Sequence, residues 1–205
     1  METELKFSPV LSGSFQSLLH DPLISPRLGK VSWSQMKTVY YDTRGGTLFS
    51  LGAALRVRLE NRKTVYTFKR TLQEKGNLSV RLELESTADS LGDAIQELCA
   101  DPKMPGDVKT ALQQGELTPV CRADFTRASV SYTADNLCFT VCLDSGILSG
   151  GVRQDVLSEL ELEFGSGSLD AFLEIGRYLT RAYNLTPCSQ SKFSRARALM
   201  LEVSF

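Results

Sequence analysis

Apolar and polar residues alternate with period two along most of this chain, and that alternation predicts strands. Residues 2–7 set Glu2, Glu4 and Lys6 against Thr3, Leu5 and Phe7. Residues 34–41 are β-branched and aromatic enough for a second strand. Residues 53–60 place Arg56, Arg58 and Glu60 opposite Leu55, Val57 and Leu59. Asn61-Arg62 reads as a hairpin turn, and residues 63–70 return with Thr67 and Lys69 on one face. Residues 78–86 set Arg81, Glu83 and Glu85 against Val80, Leu82 and Leu84. Strands over 125–132 and 137–144 follow, and 156–164 closes the set with Glu159, Glu161 and Glu163 opposite Leu160, Leu162 and Phe164. Helical spacing is scarcer. It predicts helices over 14–20, 90–100, 106–114 with Gly115 as C-cap, and 168–183 with Ser168 as N-cap. About eight strands with few helices between them favour a mainly β (α+β) fold. The sheet is antiparallel, closed into a barrel or folded as a sandwich, with helices packed outside.

Composition narrows the function classes. The chain has 205 residues, 42% hydrophobic, and no stretch resembling a linker, so residues 1–205 are expected to form one domain. Lys and Arg number 23 and Asp and Glu 24, a balance that argues against a broad nucleic-acid surface. No apolar run is long enough to span a bilayer, and the N-terminus carries acids where a signal peptide carries bases. The five cysteines, an odd count, read as reduced thiols, so a cytoplasmic location is expected. His20 is the only histidine and no Cys-x-x-Cys pair exists, which leaves structural zinc and His-based nucleophilic chemistry without support. P-loop and dinucleotide-binding glycine motifs are absent.

The strand faces sort charge. Acids alternate at Glu2, Glu4, Glu83, Glu85, Asp144, Glu159, Glu161 and Glu163. Bases occupy similar faces at Lys6, Arg56, Arg58, Lys69, Arg81 and Arg127, with Lys192 and Arg195 near the C-terminus. A wet sheet face accounts for any one such strand. It does not account for Glu159, Glu161 and Glu163 in succession, about 7 Å apart along one face, which repel unless cations lie between them. If these faces turn inward, carboxylate oxygens without His or Cys select hard divalent cations. Arginine forks select phosphate. A ligand that needs both is a metal-bound polyphosphate.

The residues that carry these charges resemble a known family. Glu2-x-Glu4-x-Lys6 is similar to the opening motif of the CYTH superfamily, the triphosphate tunnel metalloenzymes. The likeness continues in order through Val39-Tyr40-Tyr41-Asp42-Thr43, Ala54-Leu55-Arg56-Val57-Arg58, Thr67-Phe68-Lys69 and Arg81-x-Glu83. It goes on through Asp124-Phe125-Thr126-Arg127, Leu143-Asp144-Ser145-Gly146, the Glu159-Leu160-Glu161-Leu162-Glu163 run and Ser191-Lys192-x-x-Arg195. The Glu-Leu-Glu-Leu-Glu form is most similar to bacterial inorganic triphosphatases. Two departures stand out: Thr43 is followed by Arg44 where the family often has proline, and the hairpin tip over 73–77 is short.

The resemblance implies an eight-stranded antiparallel closed barrel forming a tunnel. It implies Mg²⁺ or Mn²⁺ held by Glu2, Glu4, Asp144, Glu159 and Glu161. Triphosphate would be held by Lys6, Arg56, Arg58, Lys69, Arg81, Arg127, Lys192 and Arg195. Glu2, Glu4, Lys6 and Glu161 stand as the catalytic set, and Glu83, Glu85 and Glu163 lie in the motifs with less defined roles. The expected reaction is hydrolysis of inorganic triphosphate to diphosphate and phosphate, with a small-molecule substrate and neither nucleic acid nor membrane as partner. Thiamine triphosphate hydrolysis, class IV-type adenylate cyclisation and non-catalytic polyphosphate binding are the alternatives. Animal thiamine triphosphatases carry a Trp where this chain has Ala54, and the sole tryptophan, Trp33, lies elsewhere.

Overall fold

A computed structural model describes residues 1–11 and 13–201. The strands are β1 (Glu2–Phe7), β2 (Ser32–Thr43), β3 (Ala53–Glu60), β4 (Lys63–Lys75), β5 (Leu78–Ser86), β6 (Leu117–Ala134), β7 (Leu137–Gly150) and β8 (Arg153–Gly167). They close in the order β1-β5-β4-β3-β2-β6-β7-β8, every neighbouring pair antiparallel. The short strand β1 closes the ring: Glu4 stands opposite Ser79 of β5 on one side and Glu163 of β8 on the other. Closure removes both sheet edges, which decides for a barrel over a sandwich.

Several strands run longer than the alternation predicts. β6 begins at Leu117 rather than 125, and a register shift beside Tyr40 and Tyr41 takes up the irregularity where Pro119 lies. Proline and glycine read as strand ends in sequence, but a bulge lets pairing continue past them. The Asn61 turn is as expected, with Asn61 itself at φ 53°.

The helices are α1 (Ser14–Leu19), α2 (Thr47–Ser50), α3 (Leu91–Ala100), α4 (Gly106–Gln114), α5 (Leu169–Ala182) and α6 (Lys192–Leu201). Ser168 and Ser90 cap α5 and α3 as side-chain acceptors, from Ala171 N–H and Asp93 N–H respectively. Two helices, α2 and α6, lie where the apolar spacing predicts none. α2 is a single turn whose backbone N–H groups at Leu48 and Phe49 donate to buried Asp42. α6 starts at a Ser191 cap that accepts from Ser194 N–H at 3.0 Å.

Three apolar clusters position these parts. Leu5, Phe7, Val141, Leu160 and Leu162 pack with Phe15, Leu18, Phe172 and Leu179, fixing α1 and α5 to the outside of β1, β7 and β8. Leu55, Phe68, Leu82 and Leu84 meet Leu98, Val108 and Leu112 and fix α3 and α4 over β3 to β5. Each fully buried side chain of this size contributes roughly 1.5–3 kcal/mol. A third cluster, Met36, Tyr40, Ala123, Phe125, Leu148 and Leu157 with Phe193 and Ala196, fixes α6 to β2, β6, β7 and β8. Tyr40 and Phe193 stack at 5.1 Å. This last cluster carries Lys192 to the charged lining. Among the described residues, no helix is long and apolar enough to cross a membrane.

Candidate active site

The charged alternation of the strands converges on one cavity of about 600 Å³. β1 contributes Glu2, Glu4 and Lys6, β3 contributes Arg56 and Arg58, and β4 contributes Lys69. β5 adds Arg81, Glu83 and Glu85, β6 adds Arg127, β8 adds Glu161 and Glu163, and α6 adds Lys192. Period two explains the result: residues i and i+2 share a face, so Glu2 and Glu4, Arg56 and Arg58, Glu83 and Glu85, and Glu161 and Glu163 enter in pairs.

Behind Glu161 lies a buried carboxylate nest whose other two members, Asp144 and Glu159, do not line the cavity. Asp144 of β7 stands opposite Glu159 of β8, and Glu161 is two residues along the same face. Oxygens of all three lie within 4.8 Å of one another, and all three side chains are buried. Two cations separate them. Arg127 forks onto Asp144 with Nε and Nη2, both at 2.7 Å, and reaches Glu161 at 2.5 Å and Glu163 at 2.9 Å. Lys192 Nζ lies 2.8 Å from Asp144 and 2.9 Å from Glu161 and also contacts Glu159. These are the cations that three acids in succession on one strand demand. Burial pushes the Glu159 carboxyl up, to about 7, despite the nearby Lys192 ammonium. Burial also pushes Glu161 up, but Lys192, Arg127 and Lys6 outweigh it and hold that carboxyl well below the usual range.

The metal set expected from the family likeness is divided. Glu2 is held by Lys69 at 2.8 Å, and Glu4 by Arg81 at 2.6 Å and Lys6 at 3.2 Å. Neither belongs to the nest of Asp144, Glu159 and Glu161. The expected phosphate ligands divide too. Arg56 and Arg58 are loosely paired, Arg56 with Glu83 at 3.7 Å and Arg58 with Glu60 at 3.3 Å and Glu85 at 4.0 Å. The Nε–H of each is buried and has no hydrogen-bond partner among the described residues. Burial lowers the pKa of Arg58, and its neighbours Arg56 and Arg127 lower it further, so an anion here relieves repulsion. Arg195 does not line the cavity. It turns to Ser8 Oγ, to Asp155 and to the Val156 carbonyl, each at 3.1 Å, and lies 3.6 Å from Glu159. Its position in α6, three residues past Lys192, points it behind β8 rather than into the tunnel.

The cavity also has lining that charge alternation did not mark: Tyr40, Phe49, Phe125 and Phe193, with Ser191 and Ser194 beside Lys192. The remaining candidates lie elsewhere. His20 is exposed, its Nδ1 2.9 Å from the Gln16 carbonyl. Trp33 is exposed on β2. Cys138 and Cys142 are free thiols, and burial pushes Cys142 up to about 12, which keeps it protonated.

A closed antiparallel barrel with carboxylates and cations facing one inner cavity defines a charged β-tunnel protein. The CYTH domain matches residues 1–196, and the chain belongs to that family. Solved structures share the fold. A putative adenylyl cyclase from Hippeastrum, described as having a dominant triphosphatase activity, is 20% identical at TM-score 0.64, covering 98% of this chain and 97% of its own. A Pyrococcus horikoshii protein is 20% identical at TM-score 0.60, covering 94% of this chain and 96% of its own. A putative adenylate cyclase from Bacillus halodurans is 19% identical at TM-score 0.55, covering 95% of this chain and 96% of its own.

Proposed function

We propose that the protein is a divalent-metal-dependent triphosphatase that hydrolyses inorganic triphosphate to diphosphate and phosphate. The observation that carries this reading is the adjacency of two opposite features, a cavity lined with cations and a buried carboxylate nest that meets it through Glu161 and Lys192. Arg56 and Arg58 line the cavity with buried Nε–H groups that have no partner among the described residues, and the nest of Asp144, Glu159 and Glu161, which reaches the cavity at Glu161, clusters hard oxygens. An anion alone has no use for the nest, and a cation alone has no use for the guanidinium groups.

The donor set fits Mg²⁺ or Mn²⁺: carboxylate oxygens only, with no thiol or imidazole. Glu159 Oε2 is buried and accepts no hydrogen bond among the described residues, so it has a lone pair to give. Asp144, Glu159 and Glu161 would hold the ion, with Glu2 and Glu4 available from β1. When bound, a divalent cation neutralises phosphate charge and acidifies water. The chain's own residues do the rest. Arg56 and Arg58 hold phosphate oxygens through their forks. Lys6, Lys69, Arg81 and Lys192 surround the same space and offset the charge that builds on the leaving diphosphate. The barrel wall keeps these groups fixed before substrate arrives.

Phosphate release from inorganic triphosphate, thiamine triphosphate and ATP, each with Mg²⁺ or Mn²⁺, tests the reading. Inorganic triphosphate is expected to be turned over with the highest kcat/KM. Binding of triphosphate with no release from any of the three would make the protein a polyphosphate-binding module instead.

A further inference from the structure

The carboxylate nest already contains a cation. Lys192 Nζ stands among the three acids, in contact with each. Their oxygens lie within 4.8 Å of one another, and Arg127 already forks onto Asp144 and Glu161 from one side, so Lys192 holds the remaining place among them. A Mg²⁺ ion takes its oxygens at about 2.0–2.1 Å, so it would claim the point the ammonium holds. Both sides of the contact are shielded from water: Lys192 is 7% exposed, and Asp144 and Glu159 are 0% exposed. Two cations pressed together in that space without an anion between them repel strongly at low effective dielectric.

We propose that Lys192 is a resident counter-ion that a divalent cation displaces, and that the freed ammonium turns into the adjoining cavity to meet phosphate. This rests on the reading of the tunnel as a metal-dependent triphosphatase. The exchange needs little movement. Lys192 is the first residue of α6, and the next residue, Phe193, is anchored by its stack on Tyr40. A change of the Lys192 side chain alone therefore suffices while the helix stays packed. Lys192 already lines the cavity, so its ammonium has anion-binding space within reach. Placing two positive charges in the nest while the displaced ammonium stays beside it, turned towards the substrate, makes the site more positive by two charges. Cation and triphosphate then favour each other's binding, and the coupling is reciprocal.

The test is direct Mn²⁺ binding to the full chain without phosphate, by titration calorimetry, comparing wild type with Lys192→Gln. The variant is expected to bind Mn²⁺ more tightly by roughly 5- to 150-fold, the usual span of such couplings. Equal or weaker binding by the variant overturns the exchange and leaves the triphosphatase reading standing. No Mn²⁺ binding by either protein without phosphate likewise overturns the exchange, while phosphate release from triphosphate tests the triphosphatase reading separately. A second measurement needs no variant. Acetic anhydride labelling of wild type, read by mass spectrometry, is expected to rise at Lys192 when Mn²⁺ is added. Unchanged labelling of Lys192 at saturating Mn²⁺ overturns the exchange.

Discussion

The Lys192 ammonium lies 2.8 Å from Asp144 Oδ2, and Asp144 has no exposed surface. The contact joins the first residue of α6 to the middle of β7, so the tunnel's charge pattern and the seating of its last helix depend on one another. Removing one partner of a buried pair leaves the other charge stranded. Asp144→Asn strips the shared acid from both Lys192 and Arg127. It is expected to lower metal-free stability by about 3–5 kcal/mol, read by urea unfolding. A loss below about 1 kcal/mol would show that the network contributes little to folding.

Arg56 and Arg58 differ from Arg127 in having no partner closer than 3.3 Å among the described residues. Arg58→Ala should therefore leave the fold intact while weakening the grip on substrate. A hydrogen bond to a charged group is worth about 1.5–3 kcal/mol, so KM for triphosphate is expected to rise about tenfold or more. Glu60, paired with Arg58 from a partly exposed position, is expected to tolerate Gln with little change. Unchanged KM and kcat in Arg58→Ala would mean that this guanidinium does not reach the ligand.

Most of the lining was legible because a strand's period of two is a rigid rule. Once 53–60, 78–86 and 2–7 are strands, their charged residues share faces, and closure gathers those faces. What sequence did not reveal follows from three dimensions. The added lengths of β6 and β7 continue past Pro119 and Gly146, which locally read as stops. α6 has only a serine cap and a sparse apolar stripe of Phe193 and Ala196, so neither its helix nor the divergence of Lys192 from Arg195 is visible in the run 191–195. Glu2 and Glu4 share a motif with Lys6, yet cross-strand Lys69 and Arg81 hold them apart from the nest.

Gly115 shows the same limit at one residue. The sequence marks it as a C-cap, a position where glycine usually supplies a left-handed turn. Its φ is −86°, which any residue adopts. Glycine is needed there for space: a Cβ would lie 2.5 Å from Thr43 Cγ2 and 2.6 Å from the Ala111 carbonyl. Gly115→Ala is expected to cost about 1–3 kcal/mol by forcing α4 from β2, measured by chemical denaturation. A stabilising effect would mean that the site relaxes freely.

Asp21 anchors α5 against the loop after α1. Its Oδ2 accepts from Tyr178 at 2.8 Å and Tyr183 at 2.6 Å, and its Oδ1 from the Leu23 and Ile24 N–H groups. Burial raises its pKa, but these hydrogen bonds outweigh burial and hold it below the ordinary 3.8. A lowered carboxyl stabilises the fold fully above its unfolded pKa and loses that contribution as pH falls through the folded value. Asp21→Asn is expected to be less stable than wild type at pH 7 and to close the gap below about pH 4. Parallel stability curves across that range would remove Asp21 from the account.

The central claim is that one cavity uses its acids for a metal and its bases for triphosphate, and that hydrolysis needs both. The most direct measurement is the initial rate of phosphate release from inorganic triphosphate by wild type and Glu161→Gln, with Mn²⁺ and with excess chelator. The account predicts turnover by wild type with Mn²⁺, none in chelator, and a loss of orders of magnitude in Glu161→Gln. Appreciable release in chelator, or equal rates for the two proteins, would contradict it.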